Sequence, residues 1–145
     1  MASSRLVSRC LHEEHDATLA LWGKVESSLA SGNADPALLR EAAAALSHEI
    51  SRHFEFEERE LFPRLAGAGE GDIAALLAEE HVVIRAAAKQ FAQALDAGAG
   101  LKPVGLELAE RLMSHIQKEE MSLLPVLDDL LDEQADAELI ERYAT

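Results

Sequence analysis

Apolar side chains recur every three to four residues along most of this chain, and glycine and proline fall in clusters that divide the pattern into long stretches. Those stretches are rich in Ala, Leu, Glu, Arg and Gln, which form helices readily, and few segments read as strands. The spacing predicts a first helix over about residues 5–30, ending at Ser31-Gly32-Asn33. Asp35-Pro36 resembles an N-cap followed by proline at the first helical position, which begins a second helix running to about residue 65. Gly67 to Gly71 interrupts the pattern, Asp72 is a candidate cap for a third helix lasting to about residue 96, and Gly98, Gly100 and Pro103 precede a fourth over about 103–131. The acidic tail, residues 132–145, carries Leu139, Ile140 and Tyr143, enough for a short extra helix to pack on the rest.

Four helices of about 25 residues with short connections imply an all-α, up-down-up-down four-helix bundle. Its core is expected from stripes such as Leu11, Thr18, Leu19 and Trp22 in the first helix, and Ile73, Leu76, Leu77 and Ile84 in the third. The 145 residues, 48% of them hydrophobic, suit one domain over 1–145 without disulfides, and the single cysteine, Cys10, excludes an intrachain disulfide framework. The N-terminal segment MASSRLVSRC has two arginines but no apolar run of signal-peptide length, so a cytoplasmic protein is expected. A net charge of -14 without a basic patch argues against nucleic acid, and no stretch is apolar enough for a membrane span.

The chemistry lies in an internal repeat. HFEFEERELFP at residues 53–63 matches HIQKEEMSLLP at 115–125, an offset of 62, while Glu13-Glu14-His15 matches Glu79-Glu80-His81 at an offset of 66. Each half thus reads EEH followed by HxxxEE, as if one helical hairpin were used twice. Residues four apart share a helix face, so His53 with Glu57 and His115 with Glu119 each direct a nitrogen and an oxygen the same way. Glu58 and Glu120 are rotated by about 100° and are expected to face solvent or to support the site, so their loss should leave metal content nearly intact. His15 and His81 add one imidazole each. Burying two carboxylates and four imidazoles without a compensating cation costs on the order of several kcal/mol per unpaired charge.

Six nitrogen and oxygen donors exceed the closed tetrahedral set of structural zinc, and mixed imidazole and carboxylate ligands suit iron or manganese. His12, one turn before His15, is a candidate fifth imidazole, its plainer place being the mouth of the site or the surface. His48 lies on a different face from His53, and Glu49 is a candidate partner that orients the His53 ring.

One His, HxxxE, one His and HxxxE on successive helices resembles the hemerythrin-like, or HHE cation-binding, family, with the likeness spanning about residues 11–127. That resemblance implies two iron ions bridged by an oxo or hydroxo group, terminal ligands His15, His53, His81 and His115, and bridging carboxylates Glu57 and Glu119. Two departures stand out. The oxygen carriers have paired histidines four apart on the third helix, where this chain has Leu77 and Arg85 flanking His81, and HxxxxD on the fourth, where this chain has HxxxE. Fewer imidazoles leave more open metal positions.

The resemblance implies binding of dioxygen, peroxide or nitric oxide for sensing, transport or stress response. A redox enzyme with peroxidase or catalase-like activity, or an iron store, is the alternative. Phe54, Phe56 and Ile116 are candidate walls for a dry ligand pocket.

Overall fold

The computed structural model describes residues 5–144 and contains helices but no strand among them. Helix α1 (Leu6–Ala30) leads through a short loop to α2 (Pro36–Glu49). Asp35 caps α2, its carboxylate accepting from the Ala37 and Leu38 amides, with Pro36 behind it as expected. Winding then continues without interruption through two π turns, Ile50–Phe54 and Glu57–Leu61, into α3 (Phe62–Gly67). After Gly69, whose φ of 88° favours glycine, come α4 (Gly71–Ala97), α5 (Leu101–Ser122), α6 (Leu124–Leu130) and α7 (Glu133–Ala144).

Two boundaries differ from expectation. Asp72 lies inside the first turn of α4, where its charge favours the helix dipole, and it does not cap the helix. The fourth helix stops at Ser122 because Pro125 lacks an N–H, and a new segment starts with that proline at its second residue. The equivalent Pro63 also stands second in its segment, but the π turn before it lets the chain continue winding.

Packing follows the apolar stripes. Helices α1, α2, α4 and α5 contact one another in the order α1–α2–α4–α5–α1, and α7 lies against α1. Two apolar clusters result. One gathers Val7, Leu11, Phe56, Phe62, Leu77, Leu127, Leu139 and Tyr143; the other gathers Trp22, Val25, Leu46, Phe54, Ile84, Phe91 and Leu112. Trp22 is a core filler, edge-on to Phe91 with ring centroids 5.4 Å apart. Leu19 and Leu76 are not core residues: each sits one position off the buried stripe of its helix, rotated by about 100°, and each is exposed. Thr18 is half-buried and donates to Glu49. Among the described residues, no helix is long and apolar enough to cross a membrane. Residues 1–4, part of the segment scanned for a leader, and residue 145 of the tail lie outside the described residues.

The tail holds the start of α1. Arg5, the residue before α1, offers no side-chain cap; the buried Asp136 of α7 instead accepts from the Leu6 and Val7 amides at 2.8 and 3.0 Å. Tyr143, two turns further along α7, meets Glu14, two turns further along α1, so the two helices run side by side in the same direction. Asp136→Ala is expected to cost about 1–2 kcal/mol, the usual worth of an N-cap, and to lower the melting temperature by roughly 3–6 °C. Hydrogen exchange at the Leu6 and Val7 amides should accelerate most; uniform exchange changes would show that Asp136 acts through packing instead.

Candidate metal centre

Along α1 the buried stripe runs Val7, Leu11, His15, Trp22, and along α4 it runs Leu77, His81, Ile84. The same helical spacing that fills the two apolar clusters therefore inserts one polar layer between them. His53, Glu57, His115 and Glu119 complete that layer, and all six side chains are buried, with Glu57, His81 and Glu119 wholly inaccessible. The structure brings together every residue singled out for a site from the repeat.

The layer divides into two overlapping donor sets, His15, His53, Glu57 and Glu119, and Glu57, His81, His115 and Glu119, with donor atoms in each set within 4.8 Å of one another. Both glutamates straddle the sets. Glu119 turns Oε1 to His15 Nε2 at 2.9 Å and Oε2 to His115 Nε2 at 3.0 Å. Glu57 turns Oε2 to His53 Nε2 at 3.0 Å and Oε1 to His81 Nε2 at 3.1 Å. His53 and Glu57 achieve this across π winding, whereas His115 and Glu119 lie on regular helix. The sequence separations differ accordingly: His15 to His53 is 38 residues and His81 to His115 is 34, the longer half having the longer loop and the π turns.

While every Nε2 faces inward, every Nδ1 meets a carboxylate. His15 pairs with Glu120 at 2.6 Å, His53 with Glu14 at 3.0 Å, His81 with Glu58 at 2.6 Å and His115 with Glu80 at 2.8 Å. Each EEH glutamate thus orients the HxxxEE histidine of its own half, and the last glutamate of each HxxxEE orients the EEH histidine of the other half. A further side chain holds each of these carboxylates in turn: the cations Arg52 on Glu14, Arg85 on Glu58 and Lys118 on Glu80, and the His12 imidazole on Glu120. Glu58 and Glu120 are therefore supports, with 31% and 29% of their side chains exposed. Glu14 and Glu80 escaped the sequence reading, although the repeated Glu-Glu doublet was their signal.

His12 is half exposed and turned to Glu120 and Asp16, outside the inner layer. Glu49 lies 3.3 Å from His53 Nδ1, as a support should, and His48 is exposed. Glu14, Glu49 and His53 also form a close trio, but there Nδ1 sits between two acceptors as a donor. Cys10 is partly buried, and burial with the nearby Glu14 charge raises its thiol pKa, which suits an inert thiol.

Walls close the layer. The Phe54 ring stacks on His81 at a centroid distance of 3.8 Å and 7° between planes, and Phe62 approaches the same imidazole at 5.3 Å. Phe56 is not a wall; it packs in the adjoining apolar cluster against Tyr143 at 4.5 Å. Ile116 is buried beside His115. A groove of about 500 Å³ between α4 and α5 reaches Glu80, and one of about 280 Å³ between α1 and α2 reaches Glu14 and Glu49.

Two features of the layer fit bound cations. Glu57 Oε1 and Glu119 Oε2 are buried and accept no well-directed hydrogen bond. His81 Nε2 and His115 Nε2 face each other at 3.1 Å while their Nδ1 protons are given to Glu58 and Glu80. With both rings neutral, two lone pairs oppose each other, and either protons or metal ions must intervene. Protons are strongly drawn there: burial lowers the His81 pKa, but Glu119 and Glu57 outweigh it and raise it to about 9. His15, His53 and His115 are likewise raised against burial by these carboxylates, while four imidazoles hold Glu119 well below the carboxylate range despite its burial. A site with this affinity for positive charge, built from donors that also ligate metals, is capable of holding cations.

Neither the curated proteins nor the solved structures gave a match to the chain. The profile of the Hemerythrin HHE cation binding domain does match it, over residues 7–141. The matched stretch contains both copies of the repeat and all six buried donors, and on this evidence the chain belongs to the hemerythrin HHE cation-binding family.

Proposed function

We propose that this chain is a single hemerythrin-like domain, an up-down-up-down bundle that holds two iron ions and binds dioxygen or a related small ligand such as peroxide or nitric oxide, in sensing, transport or stress response. The observation that carries the reading is the pair of donor sets sharing Glu57 and Glu119, since two carboxylates that each face both sets are suited to bridging two ions. His15 and His53 would cap one ion, and His81 and His115 the other. The imidazole and carboxylate mixture favours iron, with manganese next; zinc fits poorly because the donors exceed a closed tetrahedral set.

When bound, the two ions supply a redox-active pair with positions open to a diatomic ligand. The protein's own contribution is to present those ions in a dry enclosure. Outer carboxylates keep the Nδ1 protons, which aims each Nε2 lone pair inward. Phe54 and Phe62 exclude water from the His81 side. Four imidazoles for two ions, with His12 turned away, leave open positions and give a redox enzyme the second place among readings.

Anaerobically reduced, iron-loaded protein mixed with oxygen in a stopped-flow spectrophotometer separates the two. A visible band that persists and disappears when oxygen is withdrawn is the expected result. Irreversible oxygen consumption with rapid passage to an oxidised resting spectrum would replace binding by turnover.

A further inference from the structure

The four outer carboxylates are not equivalently held. Glu80 has one ammonium, from Lys118, and Glu58 has the Arg85 guanidinium. Glu14 is gripped from two directions. Arg52 Nη1 donates to its Oε2 at 2.7 Å, and the Tyr143 hydroxyl donates to Oε1, the same oxygen that accepts from His53 Nδ1. Arg52 binds Tyr143 as well, its guanidinium 3.9 Å above the ring and Nη2 donating to the Tyr143 carbonyl at 3.2 Å. The tyrosine ring is pinned by Phe56 at 4.5 Å and stands edge-on to His53 at 6.5 Å. Nothing in the other half of the repeat corresponds to it, because α7 packs on α1 and has no counterpart beside α4. Tyr143 also lies two residues beyond the matched family stretch.

We infer that Tyr143 is a positioning residue that makes the two halves of the metal centre unequal: through Glu14 it fixes the His53 imidazole and so strengthens the His15/His53 position selectively. The inference rests on the two-ion reading above. A phenol donating to the oxygen that accepts from His53 fixes where that carboxylate sits, and Glu14 in turn fixes the ring that would present Nε2 to the ion. The hydroxyl stands on a helix that packs along α1, the helix that carries Glu14. Lys118, on a long flexible stem with 43% of its side chain exposed, gives Glu80 no equivalent restraint.

The test is an anaerobic titration of the metal-free full chain with Co(II), using a competing chelator and the visible spectrum to follow each step. Wild type should take up two ions. Tyr143→Phe should lower one of the two affinities about tenfold, the low end for loss of a group supporting a ligand, and shift the visible bands of that ion while the other affinity changes less than about twofold. Superimposable titrations, or equal weakening of both steps, would overturn the inference and leave the two-ion reading intact. Uptake of fewer than two ions by wild type would instead overturn that reading and this inference with it. Asp136→Ala, which loosens the far end of α7 without touching Glu14, guards against a general effect: it should lower melting but leave the two affinities in their wild-type ratio. If Asp136→Ala separates the affinities as Tyr143→Phe does, α7 docking and not the hydroxyl is responsible.

Discussion

Glu119→Ala is expected to empty the centre of both ions at once. Its carboxylate is wholly buried and lies within 4 Å of all four inner imidazoles, with one oxygen toward each donor set. Each ion would lose an anionic ligand, and at an effective dielectric near 20 a contact of this kind is worth about 4 kcal/mol, or on the order of 10³ in affinity for each ion. Elemental analysis of protein purified from iron-replete cells should fall from two ions per chain to almost none, and Glu57→Ala should behave alike. Glu58→Ala and Glu120→Ala act one bond further out. Sequence reasoning expected them to leave metal content nearly unchanged; their contacts at 2.6 Å to His81 and His15 imply instead a loss of about 10–100-fold in affinity, visible at limiting metal and hidden at saturation. Glu119→Ala protein that keeps two ions, or equal losses across all four variants, would show that the bridging assignment is wrong.

The contrast between these residues also shows what a sequence can carry. His53 with Glu57 and His115 with Glu119 were legible because four-residue spacing is a property of one helix, and the repeat doubled the signal. Glu14 and Glu80 occupy equally conspicuous doublets, yet each acts on a histidine of a different helix, 39 and 35 residues away. Which neighbour a rotated glutamate reaches depends on how helices are set against each other, and no local spacing records that. The π turns at Ile50–Phe54 and Glu57–Leu61 were illegible for a related reason: the extra residue per turn has no composition signature and is revealed only when His53 and Glu57 must face the same interior as His115 and Glu119. Pro63 and Pro125 stand in matching motifs, and only the surrounding winding decides that the second interrupts the helix. Errors over Leu19 and Leu76 came from the one-residue ambiguity at the edge of any helical stripe.

Removing the ions should make stability fall with rising pH, because protons then occupy the place of metal. Folded His81 titrates at about 9 against 6.5 for the free side chain, so folding holds an extra proton between those values. The stabilisation is fully present below pH 6.5, fades as pH rises through that window and is gone above about 9. At about 1.4 kcal/mol per unit the His81 share is on the order of 3 kcal/mol, or roughly 10 °C in melting temperature, and His15, His53 and His115 act in the same direction. On the acid side, burial opposes ionisation of Glu14, but His53, Tyr143 and Arg52 hold its pKa down to about 2 from 4.5; that contribution is present above 4.5 and lost as pH falls toward 2. The metal-free chain should therefore be most stable between about pH 4.5 and 6.5. Ions held by the inner imidazoles would displace the Nε2 protons, so metal affinity should rise with pH while proton-dependent stability declines. Thermal melts of loaded and metal-free protein should diverge progressively from pH 6 to 9, and parallel curves over that range would mean that the inner imidazoles do not exchange protons for metal.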